Sequence, residues 1–133
     1  MEQRVATEVA EQEFQRFLET MDLDVDPSSM TEEDRKSFET SKRRLLRAME
    51  FGHLVIDEKG QPVYTPRDGG EPITFYEPTG ASFMAMDGKP KNADIQKMFA
   101  VMADMTRRDA KTFAKLPNRD LKVCQTIAVL FLA

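Results

Sequence analysis

The chain has 133 residues, 41% of them apolar and 32% charged, with a formal charge of -4 and a pI near 5.1. That length suits one domain with a single core, and the acidic balance argues against a nucleic-acid binder, which needs a basic face to neutralise phosphates. The lone Cys124 excludes an intramolecular disulfide, and one His with no glycine-rich phosphate loop leaves little from which a catalytic, metal or cofactor site is assembled.

The acidity is local. Residues 1–50 hold 13 acids against 8 basic residues, net -5, whereas residues 51–133 hold 10 against 11, net +1. No apolar run approaches the roughly twenty residues of a membrane helix, and no signal-peptide core is visible, so a soluble intracellular protein is expected.

From Glu2 to Met21 the apolar residues are Val5, Val9, Phe14, Phe17, Leu18 and Met21. The last four fall at i, i+3, i+4, i+7, which predicts an amphipathic helix with a weak start. Pro27 breaks the pattern within an acidic stretch, where Asp22, Asp24 and Asp26 alternate as in half of a calcium loop. The turn glycine and the closing bidentate Glu of such a loop are missing, so no metal is expected there.

Thr31, followed by Glu32, Glu33 and Asp34, predicts a capped helix start. Its apolar stripe is Phe38, Leu45, Leu46 and Met49; Lys42, Arg43, Arg44 and Arg47 are read as complements to the helix dipole and partners for nearby acids, in preference to a patch for an acidic partner. Gly52 is the expected helix stop.

Two β-prone runs, His53–Ile56 and Pro62–Thr65, flank the turn Asp57–Gln61 and predict a hairpin, with Ile73–Tyr76 as a third strand of a small antiparallel meander. Pro62 and Pro66 are expected to confine the second strand to an edge. His53 is the one candidate general base, and no nucleophile motif accompanies it.

Beyond Pro78, Thr79 or Ser82 is expected to cap a short helical turn carrying Phe83, Met84 and Met86, closed by Asp87-Gly88-Lys89-Pro90. Asn92 is expected to cap the next helix, whose stripe is Ile95, Met98, Phe99 and Met102. Thr106 and Asp109 have capping-box spacing and predict a short helix through Phe113 toward Leu116. After Pro117-Asn118, residues Arg119–Leu132 form a last helix with Leu121, Cys124, Ile127, Ala128 and Phe131 on one face, widened by Val123, Val129, Leu130 and Leu132. A terminal helix this apolar is expected to be buried by its own core, with Cys124 as a packed thiol.

The predicted fold class is α+β, predominantly helical: a small antiparallel β-meander packed with a C-terminal helical bundle. Residues 1–50 are read as an acidic helical segment, mobile at its start, and residues 51–133 as the core.

The order of a β-prone segment ending Phe75-Tyr76-Glu77-Pro78-Thr79, a Met-rich helix, a short helix ending Leu116-Pro117-Asn118, and a closing helix from Arg119-Asp120-Leu121 to Val129-Leu130-Phe131-Leu132 resembles the tail assembly chaperones of long-tailed bacteriophages, lambda-like and Mu-like. The likeness covers roughly residues 51–133. It implies a non-enzymatic protein of the host cell cytoplasm that binds the aggregation-prone tape measure protein until the tail tube polymerises, and that is absent from the mature virion. It also implies a short form, partnered by a frameshifted longer form that recruits the tail tube protein. Self-association is a further expectation; nucleic acid and membrane are not.

Methionine moulds to varied partners. Met98 and Met102 are assigned to the core, and Met84, Met86 and Met105, together with Phe131 and Leu132, are the candidate partner-binding residues. A small head-tail connector or neck protein is the alternative reading, distinguished by remaining in the particle.

Overall fold

The computed structural model describes residues 3–23, 25–87 and 89–132. Helix α1 (Thr7–Thr20) begins without a side-chain cap, as a weak start implies, and is held instead from outside. The Arg4 and Val5 amides donate to the Glu50 carbonyl at 2.7 and 3.0 Å, and the Thr7 hydroxyl donates to Glu50 Oε2 at 2.7 Å. Its buried face is Ala10, Phe14, Phe17 and Leu18, while Val9 lies outside it. Glu2 and Asp24, the middle member of the alternating aspartates, lie outside the described residues. A single 3-10 turn, Pro27–Ser29, follows, with Asp26 accepting from the Ser28 amide.

Helix α2 (Glu32–Glu50) starts where Thr31 Oγ1 accepts from the Asp34 amide at 3.1 Å. It stops in a Schellman motif: the His53 amide donates to Ala48 O at 2.9 Å and the Gly52 amide to Met49 O at 3.0 Å. Gly52 has φ +80, the left-handed conformation that such a stop requires.

The sheet comprises β1 (Leu54–Ile56), β2 (Pro62–Tyr64) and β3 (Ile73–Thr74), antiparallel in the order β1-β2-β3. The second strand is therefore central, not the edge its prolines predict. Pro62 is the first strand residue, where no ladder donor is needed, and its carbonyl accepts from the Phe75 amide at 2.8 Å; Pro66 lies beyond the strand. The third strand is shorter than expected because the Tyr76 amide leaves the sheet and donates to Met105 O at 3.0 Å.

Four helices complete the chain: α3 (Gly80–Asp87), α4 (Asp94–Thr106), α5 (Ala110–Ala114) and α6 (Asn118–Leu132). Gly88, in the stretch expected to close α3, lies outside the described residues. Two expected caps are corrected. Asn92 does not cap α4, because a turn from Pro90 to Ala93 moves the cap to Ala93, which has no side-chain hydrogen bond. Thr106 does not open α5; it is the last residue of α4 and its hydroxyl donates back to Met102 O at 2.7 Å, leaving Asp109 as the cap that accepts from the Lys111 amide at 3.0 Å.

Helix α6 is the centre of the core, as its breadth predicts: Val123, Cys124, Ile127, Ala128, Leu130 and Phe131 are all buried. Both α2 and α4 pack on it, and Phe131 meets Phe17 edge-on at 5.3 Å between ring centroids. Core residues come from both sides of residue 50. The fold is α+β and mostly helical, with a three-stranded antiparallel sheet. Among the described residues no helix is long and apolar enough to cross a membrane.

Candidate docking surface

Helix α3 is folded inside out. Its one buried residue is polar, Ser82, while Phe83 and Met84 are 46% and 71% exposed. The cause is a polar pin: Ser82 Oγ accepts from the Thr79 amide at 3.1 Å and donates to Asp104 Oδ2 on α4 at 2.5 Å. With Ser82 turned to α4, Phe83 and Met84, about 100° and 200° further around the helix, are carried outward. Ile95, in the first turn of α4, is 70% exposed, although it belongs to the apolar stripe expected of α4.

Six large apolar side chains stand exposed among the described residues, and three of them, Phe83, Met84 and Ile95, belong to the packed pair α3–α4. Fully burying such a side chain is worth about 1.5–3 kcal/mol, part of which is forgone here. Three of them on one helix pair make it the candidate contact surface. Val9 and Val55 form a lesser apolar site, lining a cleft of about 120 Å³ between α1 and β1.

The five expected contact residues divide. Met84 is open and Met86 half-buried at the margin of the core. Met105, 1% exposed, is core, and its carbonyl accepts from the Tyr76 amide at 3.0 Å. Phe131 is core as well, edge-on to Phe17, and Leu132 is half-buried beside it. Met102 is buried and Met98 half-buried, as assigned. Phe83 and Ile95 are the members of the surface that sequence reasoning missed. The serine between Ala81 and Phe83 was the available signal.

The margin of α3–α4 carries a strained residue. Arg107 follows α4 at φ +56, the position glycine usually takes in a helix stop. Its guanidinium lies over the Tyr76 ring, 3.9 Å from the centroid, and Arg108 next to it donates to Pro72 O at 2.7 Å and to Glu71 Oε2 at 3.3 Å.

A polar group of different character lies inside the fold. Tyr64, fully buried, donates its hydroxyl to Asp120 Oδ1 at 2.5 Å, and the Arg67 amide donates to the same oxygen at 3.1 Å. Burial, and then the bond to Asp120, push the Tyr64 phenol upward, so it remains a donor. Burial also pushes the Cys124 thiol up to about 12, with the Asp120 charge adding to it. His53 is pulled below the usual histidine range by burial first and by Arg67 next; Asp120 opposes and Arg4 reinforces. Its Nε2 is enclosed with no protein partner.

Lys42, Arg43, Arg44 and Arg47 of α2 do not find the acidic partners expected of them. Among the described residues, ion pairs within 4 Å are Arg16–Glu13, Lys36–Glu32 and Arg108–Glu71. Lys42 sits over Phe14 and Arg47 over Phe51 instead, and Arg44 donates to Thr126 Oγ1 at 2.9 Å.

Comparison with protein-family models, curated proteins and solved structures returns no match.

Proposed function

We propose that this chain is a tail assembly chaperone of the long-tailed phage type, a non-enzymatic short form that holds the tape measure protein soluble in the host cytoplasm until the tail tube forms, and is then left out of the virion. The observation that carries the reading is the inversion of α3: a serine buried, a phenylalanine and a methionine presented to solvent. An amphipathic client helix offers apolar side chains at i, i+3, i+4 and i+7, and a helix-pair surface of Phe83, Met84 and Ile95 receives them by the same apolar burial that builds a core. Methionine at the most exposed position suits a client whose successive helices differ in shape.

The acidic N-terminal half adds solubility to a loaded complex and favours basic client helices. A frameshifted longer form, working beside this one, brings the tail tube protein. Coexpression with a tape measure protein tests the reading: the client is expected in the soluble fraction and co-purifies with the chain. Met84→Glu and Phe83→Glu lie on an exposed face and leave folding intact, and each is expected to return the client to the pellet. A client equally soluble without the chain, or equally well held by both variants, refutes the proposal.

A further inference from the structure

Arg44 and Arg47 on α2, Arg119 and Lys122 on α6, and Arg67 on the loop after β2 surround one cavity of about 270 Å³, with Val123 at its wall and no acidic residue lining it. None of these five cations has an ion pair within 4 Å among the described residues. Asp120, beside Arg119 in sequence, is wholly buried; it turns Oδ1 to Tyr64 and to the Arg67 main chain, and its Oδ2 has no hydrogen-bond partner.

Arg44, Arg47, Arg119 and Lys122 are exposed and Arg67 is half-buried. Arg44 donates to Thr126 Oγ1 at 2.9 Å, Thr126 in turn donating to Lys122 O at 2.7 Å; Arg47 lies 5.2 Å from the Phe51 ring centroid; the Arg67 main chain, through its amide, is tied to Asp120. The Arg67 Nε is enclosed and has no acceptor, so a strong donor at the wall is unmet. Like charges gathered in this way repel one another, and the arrangement is relieved by a concentrated anion.

We propose that this cavity binds a compact phosphate-bearing anion. Arginine forks match phosphate oxygens with paired hydrogen bonds, and the volume lies at the lower edge of small-ligand pockets, about 300–1,000 Å³, which suits one or two phosphate groups better than a nucleotide. The site shares no residue with the α3–α4 surface, so it stands or falls apart from the chaperone reading.

Calorimetric titration of the full chain with pyrophosphate, at ionic strength held constant with NaCl, tests the proposal. Saturable one-to-one binding is expected, weakened about tenfold or more by Arg119→Gln and by Lys122→Gln. Both residues are exposed, so neither change threatens folding. Arg43→Gln, on α2 outside the cavity, is expected to leave binding unchanged. Absence of saturable binding, or equal weakening by Arg43→Gln, overturns the proposal. A short single-stranded oligonucleotide that binds more tightly than pyrophosphate, with an affinity falling steeply in salt, also overturns it by making the face a polyanion track.

Discussion

Replacing Tyr64 and Asp120 singly and together isolates the buried polar link between the sheet and α6. Tyr64→Phe keeps the ring in a site that is 0% exposed and removes only the hydroxyl that reaches Asp120 Oδ1. A hydrogen bond to an acidic side chain is worth about 1.5–3 kcal/mol, and that is the expected loss. Asp120→Ala strands two buried donors, the Tyr64 hydroxyl and the Arg67 amide, so the expected loss rises to about 3–5 kcal/mol. In the double variant the tyrosine hydroxyl is no longer present to be stranded. The two losses therefore fail to add by about 1.5–3 kcal/mol. Urea unfolding of the four proteins, followed by far-UV circular dichroism with midpoints and slopes compared, measures this coupling. A coupling below about 0.5 kcal/mol would refute the claim that the phenol and the carboxyl act as one unit.

Arg107→Gly is expected to be nearly neutral in stability, since relief of a left-handed conformation costing about 1–2 kcal/mol offsets a lost ring contact of about 0.5–2 kcal/mol; Arg107→Ala keeps the strain and loses the contact, so its urea midpoint should be the lower of the two. His53 is held below its ordinary value of 6.5, so the unfolded chain takes up the proton first. Its contribution is fully present above the ordinary histidine range and is lost as pH falls through 6.5 toward the folded value, and His53→Gln should flatten the fall in midpoint between pH 7.5 and 5 relative to wild type. Cys124, raised to about 12 and buried, should react with a thiol reagent at pH 8 only as fast as the fold opens; modification at the rate of a free thiol would place it outside the core.

Much of the fold is legible in the chain because its signals are local. A hydroxyl before three acids starts α2 at Thr31, a glycine stops it at Gly52, and a wide apolar run buries α6. The failures share a cause. Proline chemistry forbids a donor without saying which strand is central, so Pro62 could open β2 in the middle of the sheet. Thr106 and Asp109 have the spacing of one cap, yet the hydroxyl is satisfied by Met102 one turn earlier. In eight-residue α3, apolar residues on every side leave no period, and a contact 22 residues away, from Ser82 to Asp104, decides which way the helix turns. The same holds for the basic cavity. Arg44 and Thr126 are 82 residues apart, and only packing of α2 on α6 gathers the charges.

The account rests on the α3–α4 face being the place where a client chain lies. A photo-reactive benzophenone side chain placed at position 84, at position 95 or, as a control, at the exposed Val129 of α6 tests this in coexpressed complexes. Crosslinks to the tape measure protein are predicted from positions 84 and 95 and not from 129; crosslinking from 129 alone, or equally from all three, would contradict the assignment.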